Sequence, residues 1–229
     1  MKKILFEYIN IFAYVIVGLA FGFSFFLLFL NFYHYKEVNT KINVSANVVD
    51  NREKTAEKLN KIKTNASLYQ QSTYNGKNNI YDMNAIQIKL NSCVKIFESE
   101  EYNNLANKET VELKDVYKLG KFYQNKVLND CIVMQINSLA EENSSFSIDS
   151  LSAIRPFLKT NINQLLTSNG YITSSLENAD NYYFTNDISK SSIFFLAKDS
   201  YSAINKNYQN TLDFLLEISE WYKSEVVGG

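Results

Sequence analysis

The chain has 229 residues, with 23 Lys and Arg against 24 Asp and Glu and a formal net charge of −1. Residues 36–70 carry seven basic and four acidic side chains, whereas residues 71–229 carry 14 basic and 19 acidic ones. A mildly acidic body without a basic face excludes a general polyanion-binding role, so nucleic acid is not an expected partner.

Taken in chain order, the first element is an apolar run. Tyr8 to Tyr33 contains no charged residue, and as a helix it would span roughly 39 Å, enough to cross a ~30 Å hydrocarbon layer with some tilt. The run continues through Phe21 to Leu30, past the small residues Gly18, Leu19 and Ala20. A cleavable signal peptide would end its shorter apolar region there, so the run reads as a single-pass signal-anchor. Tyr8 on one flank and Phe32, Tyr33 and Tyr35 on the other suit the headgroup zones. Lys2 and Lys3 argue for a cytoplasmic N-terminus, opposed in part by Lys36 and Lys41. We therefore expect the large C-terminal domain outside the cell membrane. Gly18 and Gly22 form a Gly-x-x-x-Gly pair that would let two membrane helices approach closely.

Beyond the anchor, Val38, Ile42, Val49, Ala56, Leu59, Ala66 and Tyr69 recur at helical or coiled-coil spacing. No Gly or Pro interrupts Lys36 to Gln71, which predicts a membrane helix running on as a stalk or first bundle helix of about 50 Å. Turn residues from Ser72 to Asn79 end it. Asp82 is expected to cap a second helix with Ile86, Leu90, Cys93, Val94 and Phe97 on its buried stripe, broken by the Asn-rich piece from Asn103 to Asn107. A third helix follows over Val111–Glu142, with Val116, Tyr123, Val127, Cys131, Met134 and Leu139 inward. Gly120 within it costs about 1 kcal/mol relative to Ala unless a close helix crossing compensates. Ile148–Ser168 reads as a fourth helix restarted at Pro156 and stopped at Asn169-Gly170. Tyr171 to Asp187 reads as one short helix, and Ser189–Ser224 has the clearest period of all: Ala197, Tyr201, Ile204, Tyr208, Leu212, Leu215, Ile218 and Tyr222. Nothing reads as strand.

The inventory of reactive residues is thin. His34 is the only histidine, which removes Ser-His-Asp and Cys-His catalysis and every zinc or di-iron site needing two histidines. No glycine belongs to a phosphate loop. Glu98, Glu100 and Glu101, with the pair Glu141-Glu142, are the only carboxylate groupings and read as solvated helix ends rather than a glycosidase pair. Cys93 and Cys131 are expected as buried free thiols, because a hairpin turning near Asn107 would leave them about 15 Å out of register. A turn centred near residue 112 would instead bring them face to face. The sequons at Asn43, Asn65 and Asn143 are what an Asn- and Ser-rich chain produces by chance.

The expected architecture is all-α: a single N-terminal transmembrane helix continuing into an elongated up-and-down bundle. Residues 1–35 form the anchor, 36–71 the stalk or first bundle helix, and 72–229 the bundle domain. No catalytic, cofactor-binding or metal-binding residue stands out, and Gly18 and Gly22 are the one candidate packing site. The expected partners are membrane lipid through residues 8–33 and either a protein or a second copy of the chain. The leading reading is a non-enzymatic interaction or scaffold module at the membrane surface. The alternative is a ligand-sensing ectodomain, because the layout is similar to the sensor regions of bacterial chemoreceptors; a carboxylate-dependent surface hydrolase is third.

Overall fold

The apolar periods of the sequence become long helices that share one core. The structure, a computed structural model, describes residues 22–27, 41–68, 80–141, 149–184 and 190–228. Strand β1 (Ile42–Asn43) precedes α1 (Ser45–Ser67), α2 (Ile80–Phe97) and the short α3 (Glu100–Ala106). Strand β2 (Thr110–Val111) then leads into one continuous helical rod made of α4 (Leu113–Phe122), a π-helical stretch π1 (Tyr123–Ile136) and α5 (Asn137–Ala140). Helices α6 (Asp149–Phe184) and α7 (Lys190–Gly228) complete the bundle. Successive long helices pack on one another, and α7 closes the bundle by lying along α1 as well as α6 and α4.

The fold is thus an all-α helical bundle, and the only described strands are two residues each, paired antiparallel as Ile42 with Val111 and Asn43 with Thr110. This small ladder corrects the expectation of a helix unbroken from Lys36. Residues 42 and 43 are extended, and Asn43 Oδ1 accepts from the Ser45 backbone N–H at 3.0 Å, which starts α1 afresh. The restart resets the helical phase. Val48 and Thr55 are buried, whereas the expected Val49 and Ala56 face solvent. Residues 28–40 lie outside the described residues, as do the turn around Asn75 and most of the expected span. Among the described residues, no helix is long and apolar enough to cross a membrane.

Helix α2 begins at Ile80, so Asp82 sits inside it rather than at its cap. Its stripe of Ile86, Leu90, Cys93, Val94 and Phe97 is buried as expected. The Asn-rich piece does not interrupt helical structure but builds α3. Ser99 caps it by accepting from the Tyr102 N–H at 3.2 Å, and Glu100 and Glu101 occupy its first turn, where carboxylates favour the helix dipole.

That extra helix also overturns the expectation of free thiols. With α3 filling the connection, the chain does not reverse until β2, and the hairpin centres near residue 112. Cys93 of α2 and Cys131 of π1 then face each other with Cα atoms 5.0 Å apart and are joined in a disulfide. The rod itself departs from α-geometry. Its buried side chains (Tyr123, Val127 and Leu128, Cys131 and Ile132, Ile136) recur every four to five residues. That spacing suits a helix bonded i→i−5, as the Asn137 N–H to Ile132 carbonyl bond shows. It turns Met134 out to solvent, 65% exposed, where a 3.6-residue period placed it inside.

Gly120 answers to the close crossing expected of it. A Cβ there would meet Leu176 Cδ2 at 2.5 Å and Ile204 Cδ1 at 3.1 Å, so α4 approaches α6 and α7 through the missing side chain. Helix α6 overrides both of its expected interruptions. Pro156 and the residue four before it, Ser152, are exposed, so the proline ring sits on the side of the helix that water reaches. Asn169-Gly170 does not stop the helix, because Leu165, Ile172 and Leu176 continue the buried stripe across it. In α7 all eight expected stripe residues are buried.

Candidate functional site

Three helices leave a cleft of about 340 Å³ between them, closed at the back by the end of α2. From α1 it receives Asn51, Arg52, Thr55, Ala56 and Asn60; from α3 and its C-cap, Tyr102, Asn103, Ala106 and Asn107; from α7, Asn205 and Gln209. Within each helix these residues are adjacent or about one turn apart, so each helix contributes one face. A second recess of about 210 Å³ shares Asn51, Asn205 and Gln209 with the first and continues along the line between α1 and α7.

The rear wall is fixed by hydrogen bonds. Gln209 Nε2 donates to Thr55 Oγ1 at 3.0 Å, and Lys58 Nζ donates to Gln209 Oε1 at 3.0 Å while pairing with Asp213. Farther along, Asn65 Nδ2 donates to Ser219 Oγ at 3.1 Å. The line between α1 and α7 is therefore a polar ladder inside a bundle whose other contacts are mostly apolar. The front of the cleft is uncommitted. No side-chain hydrogen bond or ion pair engages Asn51, Arg52 or Asn60 among the described residues. Asn205 Nδ2 donates to the Tyr201 carbonyl at 2.9 Å and Asn107 Nδ2 to Asn103 Oδ1 at 3.4 Å, which leaves the Oδ1 of each as an acceptor. Glu98, the one carboxylate of the cleft, is neutralised by Lys63.

Below the cleft lies an aromatic cluster. The Tyr208 ring sits 4.9 Å from Tyr123, 5.3 Å from Tyr102 and 6.2 Å from Phe97. Two of the phenols have hydrogen-bond partners. Tyr208 Oη donates to the Leu119 carbonyl at 3.0 Å, close to where α4 passes into π1. Tyr123 Oη donates to Thr211 Oγ1 at 3.0 Å, since the Thr211 hydroxyl proton is already given to the Asn207 carbonyl. Burial pushes the Tyr102 and Tyr123 phenols up to about 12 and the Tyr208 phenol well above its ordinary value. They are structural donors, neutral at any physiological pH.

The residues singled out in the sequence fall elsewhere. Gly22 lies on the described helical piece 22–27 with open space around it, and Gly18 is outside the described residues, so their packing role has no contact to rest on. His34 and Glu142 are also outside. Glu98 pairs with Lys63, and Glu100 and Glu101 serve the α3 terminus, so these carboxylates do not face each other across a cleft. Asn65 is buried against Ser219, which removes its sequon from use in the folded chain, and Asn43 Oδ1 is engaged by Ser45. Among the described residues, no group of three or more His, Cys, Asp or Glu is placed to hold a metal ion. Sequence reasoning missed the amides of the cleft because Asn is abundant throughout. Their signal was positional: Asn51 and Asn205 flank buried stripe positions on two helices that pack together.

No family model, curated protein or solved structure matches this chain.

Proposed function

We propose that the chain is a membrane-anchored helical bundle that works by binding a protein partner, or a second copy of itself, at the membrane surface. The observation that carries the reading is the helical piece 22–27. Phe23, Phe25, Phe26 and Leu27 are between 46% and 71% exposed there, a density of bare apolar surface that water does not tolerate and lipid does. The Cys93–Cys131 bridge supports a bundle on the extracytoplasmic side, since disulfides persist in oxidising spaces. Two exposed apolar side chains, Ile88 on α2 and Met134 on π1, lie near the same level of that bridged hairpin and offer a partner contact. Crosslinking of the full chain in its membranes, followed by mass spectrometry, tests the reading. An adduct with a protein or with a second copy supports it. Recovery of neither, or release of the chain from membranes by alkaline washing, contradicts it.

A second reading, a ligand-sensing ectodomain, is favoured by the cleft, whose α1 wall is the first long helix after the apolar run.

A further inference from the structure

We infer that the cleft between α1, α3 and α7 binds a small, neutral, polyhydroxylated ligand of about monosaccharide size. The inference gives the sensing reading its ligand class and does not depend on the protein-partner reading.

The argument begins with what the lining offers. Asn51 and Asn60 present both donors and acceptors that no group among the described residues uses, and Asn107 and Asn205 present acceptors. A hydroxyl group both donates and accepts, so an array of amides matches a row of hydroxyls better than it matches any group of fixed polarity. An apolar ligand would strip water from these amides and return nothing. An anion would find Arg52 but would also face the carbonyl oxygens of Asn107 and Asn205. A cation would face Arg52 with Glu98 already held by Lys63. The neutral hydroxylated ligand is the one that satisfies every group, with Arg52 donating to oxygen without needing a counter-charge.

Size and floor agree. A volume of about 340 Å³ is at the small end of ligand sites. Ala56 and Ala106 leave room beside Phe97 and Tyr102, which gives an apolar floor for the C–H face of a sugar ring. The rear wall is preorganised, since Thr55 and Gln209 are already locked to each other and Gln209 to Lys58. Binding therefore orders only the front amides.

The test is ligand-observed saturation-transfer NMR on the full chain in detergent micelles. The probes are glucose and N-acetylglucosamine, with glutamate as the charged control. Transfer to the sugars and not to glutamate is expected. The double variant Asn51→Ala/Asn205→Ala should weaken sugar binding by at least ~10-fold, since each side chain supplies one or two hydrogen bonds. Its Tm should match that of the parent, because neither side chain holds two helices together. Transfer to glutamate alone, no transfer to either sugar, or sugar binding unchanged in the variant would each overturn the assignment. Crosslinking to a partner can fail or succeed independently of these outcomes.

Discussion

Along the contact between α2 and π1 the bundle is apolar and covalently closed, with Cys93 and Cys131 fully buried at its centre. Along the contact between α1 and α7 it is held by Thr55, Gln209, Lys58, Asp213, Asn65 and Ser219, and it opens into the cleft. The first arrangement resists separation whatever the solvent does. The second adds, to the buried Leu59, Ile62 and Ala66 of α1, hydrogen bonds whose net worth is about 1 kcal/mol each, because water competes for the same groups. Covalent closure is thus placed away from the cleft, and exchangeable polar contacts beside it.

The largest effect should come from unlocking the covalent side. Replacing Cys93 and Cys131 with Ala frees a loop closed over 38 residues, and the chain-entropy account gives a loss of about 3–4 kcal/mol. Chemical denaturation of the parent and the variant measures it. A loss below about 1 kcal/mol would mean that the bridge does not organise the hairpin.

Next is the aromatic cluster that joins the two sides. Tyr208→Phe removes the donor to the Leu119 carbonyl at the α4–π1 junction and should cost about 0.5–1.5 kcal/mol, the net worth of one hydrogen bond, because that carbonyl still accepts from the Tyr123 backbone N–H. The same cluster sets an alkaline limit. Burial raises the Tyr102 and Tyr123 phenols to about 12, so their contribution is fully present below the unfolded value of about 10 and is lost as pH rises toward 12. Absorbance at the tyrosinate band should therefore rise together with loss of helicity. Ionisation of these phenols in a folded chain would contradict the burial.

These two predictions rest on features of unequal legibility. The α7 stripe, the α2 stripe and the close approach at Gly120 were readable because a 3.6-residue period held and tertiary packing agreed with it. The phase of α1 was not, since β1 is two residues long and pairs with Thr110–Val111, a contact far along the chain that no local pattern announces. Met134 was misplaced for a different reason: π1 keeps its own period, and mixed apolar residues at 3, 4 and 5 spacings fit either helix type. The disulfide turned on α3, seven residues of helix in a stretch whose asparagines resemble a loop. The cleft could not be read at all without knowing that α1 and α7 pack together.

A comparable effect is expected at the entry to the rod. Burial would raise the Asp115 carboxyl, but its hydrogen bond from Lys108 and the Glu112 backbone N–H outweigh that and hold it below its ordinary value. A lowered carboxyl contributes stability that is present above the unfolded value of about 3.9 and lost as pH falls through the folded one. Asp115→Asn should cost about 0.5–2 kcal/mol at neutral pH, the range for a lost cap, and the difference should vanish in acid. A cost that persists below about pH 3 would point to packing instead. The smallest effect belongs to the polar side. Lys58→Met should change stability by less than about 1 kcal/mol, because the Asp213 side chain is 53% exposed and water screens the pair. A loss as large as that of the cysteine variant would erase the contrast between the two sides.

The contrast is tested most directly by alkylating the full chain, denatured without reductant, and weighing it. The account predicts no mass shift and a single crosslinked peptide carrying Cys93 and Cys131. Two alkyl groups per chain would contradict it, because the closed side of the bundle would then be held by packing alone.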